Sequence, residues 1–469
     1  MGDRSRRIYL LDPKQLSPET IAVAFAKTSR SPQTFEQIAA ELTDADSAAF
    51  HEKWVVGYGH ASVAEHAVLH VAFENVSRLA VEAIEHSRLA SYTEKSTRYQ
   101  VWSIDGFHVP QEVSGTRFEA AFRQACANLM EAYVDSLQVV KPVVRALYPR
   151  SPGEGEDRWD GRIRSRYVDA CRFLLPAAVF ANVGMTVNAR VLENALRRML
   201  AHPLQEVRAL AAELKQACLA EVPTLLKYAV PGEVASGVPQ LRPALPPAFA
   251  ASEGVMLFDS DPSGESRVLA AGLYPSAGAD FRGEINQVQA LEPRARRDLA
   301  EALLGGRGPH DAAPRALELA GLTVEVTTDQ GSFFELKRHR MMTQVPQPLT
   351  ARLGYAVPRL IQDSGFGERY RAAMTAAGEA FEELAAWNPD VASYVVPNGY
   401  YRRVVLSMNL REAFHFCELR SAENAHFSIR CIALELADRI RSAYPILGSY
   451  LRTPDTPVHS LRQQVFVPA

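Results

Sequence analysis

The sequence predicts an α+β chain made of two tandem copies of one domain. A strand–helix–loop plan packed into residues 59–99 returns, in weaker form, over residues 323–352. The segments downstream also match. Phe173-Leu174-Leu175-Pro176 precedes Met185-Thr186-Val187-Asn188-Ala189-Arg190, and Val395-Val396-Pro397 precedes Leu406-Ser407-Met408-Asn409-Leu410-Arg411. In both places the Asn lies 12 residues after the Pro. A repeat of this length is domain-sized, so it reads as a duplication rather than a solenoid.

Bulk properties bound the reading further. A chain of 469 residues suits two to four domains. Its hydrophobic fraction of 47% is enough for globular cores, and a net charge of -3 offers no bulk field for nucleic acid or membrane. The 5 cysteines are scattered with no CxxC pair, so neither a disulfide framework nor a zinc ribbon is expected. The first residues, MGDRSRRIYLLD, read as no signal peptide, and no apolar run reaches the ~20 residues of a membrane span. A cytoplasmic protein is expected.

The elements follow in order. Residues 8–11 suggest a short strand, and 22–27 an apolar segment ending in a polar turn. Residues 35–42 and 48–58 have helical spacing. Leu69, Val71 and Phe73 alternate as on a half-buried strand. Ser77 is placed to cap the next helix, which carries Leu79, Ala80, Ala83 and Ile84 as its stripe and ends in a cationic turn at Arg88. A polar loop with Ser96 and Arg98 follows. Residues 118–147 predict a long helix with Phe122, Cys126, Leu129, Met130 and Tyr133 on one face. Residues 151–161 read as a loop, 166–175 as helix, and 188–228 as two helices divided near Pro203. The proline-rich stretch 230–253 reads as a linker. Within 254–306 only a strand at 255–258 and a helix at 293–304 are legible.

In the second copy Val324 and Val326 mark the strand. Ser332 is the expected cap of a helix through Phe333, Phe334 and Leu336, which ends in Arg338-His339-Arg340. Thr350 and Arg352 lie in the loop that follows. Residues 368–387 read as one helix and 406–443 as two. The expected domains are therefore 1–229, a linker 230–253, and 254–469.

Single residues say little alone. His66 and His70 have the spacing of half a metal site on a helix, but the alternation puts His70 on a strand, and no metal site is expected. Ser96 with Arg98 offers a hydroxyl and a guanidinium fork to a phosphate. Cys171 and Cys417 lack any signature of a nucleophile.

Taken together, the motifs are specific. Gly59-His60 through Glu65-His66, then Arg88, Ser96 and Arg98 with seven residues between Arg88 and Ser96, then Asn188 and Arg190, resemble the flavin-dependent thymidylate synthases. Arg172, four residues before Pro176, sits where that family has another substrate-contacting arginine. The second copy keeps Arg338-His339-Arg340, Asn409, Arg411 and a late Arg420, nine residues after Arg411. Each copy lacks part of what the other retains. The first has His86-Ser87 for Arg-His and Met199 for the late arginine. The second has Ser393 for Arg172, a longer loop before Thr350, and an opening element read as eroded to Gly308-Pro309-His310-Asp311.

The resemblance implies an α+β fold with a small twisted sheet covered by long helices in each copy. It also implies FAD-dependent reductive methylation of dUMP to dTMP, with methylenetetrahydrofolate as carbon donor and NADPH as reductant. By the same resemblance, Arg338, His339, Arg340 and Arg420 are the catalytic group. Arg88, Glu94, Ser96, Arg98, Arg172 and Arg420 bind substrate. His60, Ser62, Glu65, Asn188, Arg190, Asn409 and Arg411 hold the cofactor. Family members are homotetramers, so a homodimer of this chain is expected to form a pseudo-tetramer, with sites composed from both copies. A same-fold flavoenzyme for a modified nucleotide, or a non-catalytic FAD- or nucleotide-binding relative, are the alternatives.

Overall fold

The structure is a computed structural model that describes residues 9, 11–29, 31–231, 254–276 and 278–467. The strand expected at 8–11 and the linker expected at 230–253 lie outside the described residues, apart from Tyr9, Leu11, Val230 and Pro231.

The first copy runs β1 (Val68–Ser77), α1 (Arg78–Ile84), β2 (Ala90–Glu94), α2 (Glu119–Leu147), α3 (Glu156–Cys171), β3 (Phe180–Asn188) and α4 (Ala189–Leu200). The second runs β4 (Gly254–Ser260), β5 (Gly321–Asp329), α5 (Gln330–Leu336), β6 (Thr343–Pro346), α6 (Gly367–Ala385), β7 (Tyr401–Asn409), α7 (Leu410–Arg420) and α8 (Phe427–Ala443). Each copy builds one antiparallel sheet with its late strand in the centre. The orders are β1-β3-β2 and β4-β5-β7-β6, so β5-β7-β6 repeats β1-β3-β2 and β4 is an added edge.

The register of the two sheets is the same. Val68 pairs with Asn188, and Gly321 pairs with Asn409. The Ala189 N–H reaches the Ala67 carbonyl at 2.9 Å, and the Leu410 N–H reaches the Ala320 carbonyl at 2.8 Å. Each Asn then caps its helix. Asn188 Oδ1 accepts the Val191 N–H and Asn409 Oδ1 the Glu412 N–H, both at 2.9 Å, and each bond satisfies one of the donors that a helix start leaves open.

This register corrects the opening element of the second copy. Counting back from the paired positions, Glu318 stands where Glu65 stands, and Ala313 where His60 stands. The acid is retained, and the eroded element lies four residues later than 308–311 suggested.

Other differences from expectation have local causes. Residues 90–94 and 343–346 are strands rather than loop, because the central strand has an open edge for them. Asp329, not Ser332, caps α5; its Oδ1 accepts the Ser332 N–H at 2.8 Å. The helix after Ser77 stops at Ile84, before Arg88. The predicted loop 151–161 is half helix, since α3 starts at Glu156, after Gly155 at its N-cap, with Glu156 and Asp157 favourable in its first turn. Residues 406–409 finish β7 before the two predicted helices begin. The 254–306 stretch holds β4 and helices Gly264–Leu273, Phe281–Ala290 and Pro293–Ala300.

The chain divides into two compact units. One holds Met1–Lys95, Phe107–Glu119 and Ala178–Pro246; the other holds Ser96–Gly106, Ala120–Ala177 and Pro247–Ala469. The second unit thus combines the second copy with the first copy's 96–106 loop, α3 and nearly all of α2. Its sheet buries Leu322, Val324, Val326, Val404, Leu406 and Met408 against Phe333, Leu336 and Phe414. Within it the predicted face of α2 is fully enclosed: Phe122, Cys126, Leu129, Met130 and Tyr133 are all 0% exposed.

Candidate functional site

The second unit gathers motif residues of both copies into one polar network. Asp169, in the last turn of α3, takes Arg98 in a two-pronged pair, with Nε to Oδ1 at 2.9 Å and Nη2 to Oδ2 at 2.8 Å. Arg98 Nη1 also donates to the Asn424 carbonyl at 3.1 Å. One turn further on, Arg172 is only 2% exposed. Its Nη1 donates to Thr97 Oγ1 at 3.1 Å and its Nη2 to Glu335 Oε1 at 3.2 Å. Glu335 projects from α5 and is also buried. Its other oxygen lies 3.4 Å from Arg420 Nη1, so one carboxylate bridges two arginines, one from each copy.

From Arg420 the network continues through an imidazole. Arg420 Nε donates to His339 Nε2 at 2.9 Å, and His339 Nδ1 lies 3.1 Å from Glu412 Oε1. Because Nε2 accepts, Nδ1 carries the proton and donates to the carboxylate. Burial, outweighing Glu412, holds His339 below the ordinary histidine range, which favours this neutral tautomer. The backbone of Glu412 is fixed by the Asn409 cap. A second imidazole is set similarly: His426 Nδ1 accepts the Ser428 N–H and Nε2 donates to the Asp169 carbonyl, both at 3.2 Å. Burial first, then the charges of Arg172 and Arg98, push its pKa well down. Burial raises the carboxyls of Asp169 and Asp329.

The remaining expected residues fall as follows. Ser96 Oγ accepts the Arg98 N–H at 3.2 Å and so shapes the loop. Arg338 is exposed and Arg340 half-buried on the turn after α5. Arg411 does not join the network; its Nη1 pairs with Glu318 at 2.8 Å and its Nε donates to the Ala313 carbonyl. In the first unit the equivalent Arg190 pairs with Glu65. Glu94 pairs there with Arg78, and Arg88 is exposed. His60 and Ser62 line a cleft of about 590 Å³ in the first unit, walled by Phe25, Phe50, Trp54 and His66. This aromatic enclosure suits one end of a planar ring system such as a flavin.

The eroded positions are structurally closed. Ser393, the counterpart of Arg172, is buried and donates to the Leu349 carbonyl at 3.0 Å. Arg352, the counterpart of Arg98, is held by Glu382 through two bonds of 2.8 and 2.7 Å. Met199 is 1% exposed. All 5 cysteines are buried, and burial pushes the Cys171 thiol up to about 12, so none is poised as a nucleophile.

Sequence reasoning missed Asp169, Glu335, Glu412 and His426. The available signal was spacing: Asp169 precedes Arg172 by three residues, as Glu335 precedes Arg338. Arginines brought together in an interior need carboxylates beside them.

Known proteins resemble the chain along most of its length. The family described as thymidylate synthase complementing protein matches residues 11–224 and 257–446. A UPF0159 protein of Chlamydia muridarum is 28% identical over 438 residues, covering 88% of this chain and 82% of the relative. A flavin-dependent thymidylate synthase of Geobacter sulfurreducens is 30% identical over 231 residues, covering 48% of this chain and 87% of the relative. A flavin dependent thymidylate synthase ThyX from Helicobacter pylori, solved with FAD and dUMP, is similar at 18% identity and a TM-score of 0.31, over 42% of this chain and 99% of that one.

Proposed function

The chain belongs to the thymidylate synthase complementing protein family, and from that premise we propose that it carries out FAD-dependent reductive methylation of dUMP, with methylenetetrahydrofolate as carbon donor and NADPH as reductant. The observation that carries this reading is the network of the second unit. Arg98 and Arg172 from the first copy and Arg420 from the second have Asp169 and Glu335 as counter-ions, and neutral His339 joins Arg420 to Glu412 by hydrogen bonds. The arginine set lost from each copy is thereby supplied by the other.

The chemistry suits those groups. When bound, FAD supplies the hydride transfer; the protein supplies orientation and electrostatics. Guanidinium groups do not titrate at working pH and present fixed donors to the uracil carbonyl oxygens, where negative charge develops. Neutral His339, locked between Arg420 and Glu412, holds Arg420 in one orientation. The first unit's cleft at His60, Ser62 and Trp54 receives the flavin ring, with Glu65, Arg190 and Asn188 beside it. A homodimer building a pseudo-tetramer is part of the proposal, with two competent sites instead of four.

Complementation of a thymidine auxotroph tests the reading, together with the absorbance of the purified protein. Growth without thymidine and a yellow, flavin-loaded protein are expected. A protein that takes up FAD and binds dUMP but never reoxidises the flavin with the folate present would instead be a non-catalytic relative. The observation behind that second reading is that Arg98, Arg172 and Arg420 are each already paired with a carboxylate.

A further inference from the structure

Glu412 meets His339 from α7, and it also lines a cavity of about 210 Å³ in the second unit, together with Arg411, His415, Glu418 and the exposed Met341. It stands in the first turn of α7, where an acid is favoured and where the Asn409 cap fixes its N–H. The two copies can be compared position by position, counting from the caps Ser77 and Asp329 and from Asn188 and Asn409. Glu335, His339, Glu412 and Arg420 then have Ala83, Ser87, Val191 and Met199 as their first-copy counterparts. Four residues bonded in a row in one copy are replaced in the other by four residues without charge. A lone charge left at any of these positions would be buried without a partner, so the row is present or absent as a whole.

Two neutral tautomers are open to an imidazole, and only one serves here. Arg420 Nε is a donor, so His339 Nε2 has to stay unprotonated. An ionised carboxylate only accepts, so Glu412 draws the imidazole proton to Nδ1. We propose that Glu412 is a positioning residue: by fixing the His339 tautomer it sets the direction in which the Arg420 guanidinium faces the site. The assignment rests on the nucleotide reading above, in which such guanidinium groups face the uracil. The cavity brings the Glu412 carboxylate within reach of solvent protons. Around the His339 ring stand Glu412, His415 and Arg420 from α7, with Arg338 and Arg340 on its own turn and Glu335 and Arg98 beyond Arg420. From β6 comes the uncharged Gln344, whose amide donates to the His339 carbonyl at 2.9 Å. Acid that protonates His339 sets an N–H on Nε2 against Arg420 Nε and ends the hold. Burial keeps that step below the ordinary histidine range. The hold is therefore present at neutral pH and lost as pH falls through the His339 value.

Nitrogen NMR of the full-length protein carrying isotope-labelled histidine reads the tautomer, with His339→Gln identifying the resonances. The wild type should show His339 in the Nδ1–H form at neutral pH. Glu412→Gln, whose amide can donate as well as accept, and Glu412→Val, the side chain of the first copy, should both admit the Nε2–H form. Asp311→Asn, on the same cavity, should leave His339 unchanged. Calorimetry with dUMP should find both Glu412 variants weaker by about fivefold to tenfold at neutral pH, the scale of one lost hydrogen bond at a charged group. The ratio of variant to wild type, in which titration of the dUMP phosphate cancels, should fall toward one as pH drops below about 6. Thermal melts confirm that the variants are folded. An unchanged tautomer in the folded Glu412 variants, or a changed tautomer with unchanged dUMP affinity, overturns the positioning role and leaves the nucleotide reading intact. A wild type that loads FAD but binds no dUMP overturns the nucleotide reading, while loss of the Nδ1–H form in the Glu412 variants still supports the hold on Arg420.

Discussion

Glu335 decides how the candidate site is held. It is buried, it faces two guanidinium groups at 3.2 and 3.4 Å, and those groups come from different copies. Glu335→Gln keeps the shape and one acceptor but removes the charge. Arg172, 2% exposed and also bonded to Thr97, would then keep only the more distant charges of Asp169 and Asp329 among the described residues. Breaking such a pair costs about 3–5 kcal/mol. Urea denaturation followed by circular dichroism should show the midpoint falling accordingly. A shift below about 1 kcal/mol would mean that water or a neighbouring group already screens Arg172. Arg420 has more freedom, since it is 16% exposed and keeps His339 as a partner. The same substitution should therefore loosen Arg420 without removing it.

At the scale of elements, the repeated cap gives a sharper comparison. Asn188 and Asn409 make the same 2.9 Å bond at the same register, so their loss should cost each helix a similar amount, about 1 kcal/mol for Asn→Ala. Asn409→Ala should cost more in function, because the N–H it holds belongs to Glu412, the partner of His339. Thermal melts of the two variants should match, while flavin or nucleotide binding should fall further in Asn409→Ala.

These elements also show what was legible beforehand. The strand alternation, the Ser77 cap, the buried face of α2 and the equivalence of the two Asn residues all rest on local periodicity, which a single sequence carries. The short strands 90–94 and 343–346 were not legible. They exist because a neighbouring central strand offers open backbone groups, and that information is not local. The arginines were recognised by motif, but their carboxylates were not. Asp169 and Glu335 belong to no motif, and only folding shows that they meet Arg98, Arg172 and Arg420. The assignment of Gly308-Pro309-His310-Asp311 failed for a related reason. A glycine–histidine match was followed where the strand register, fixed by Gly321 and Asn409, sets the count.

For the whole molecule, sequence halves and compact units are different divisions. The family matches residues 11–224 and 257–446 as two stretches, yet the second unit draws residues 96–106 and 120–177 from the first of them. Those borrowed residues are central to it. They supply the fully buried face of α2, the Phe173 ring stacked at 5.8 Å on His426 and on Phe427, and the Asp169 and Arg172 partners of Arg98 and Glu335. The Asn398 and Gly399 N–H groups also depend on them, reaching the carbonyls of Leu175 and Phe173 at 2.9 and 2.8 Å. A fragment of residues 254–469 would expose all of these surfaces at once. Each large apolar side chain returned to water forfeits roughly 1.5–3 kcal/mol, and a domain has only about 5–15 kcal/mol in total. The fragment expressed alone should therefore be insoluble or a loosely packed state that binds a hydrophobic dye. Co-expressed with residues 1–229 as a separate chain, it should become soluble and co-purify, because the second unit needs the contacts of 96–106 and 120–177 rather than the peptide connection through 232–253. A soluble fragment of 254–469 that melts cooperatively by itself would show that the second half is an independent domain. The arginine network would then be a late addition to a fold already complete.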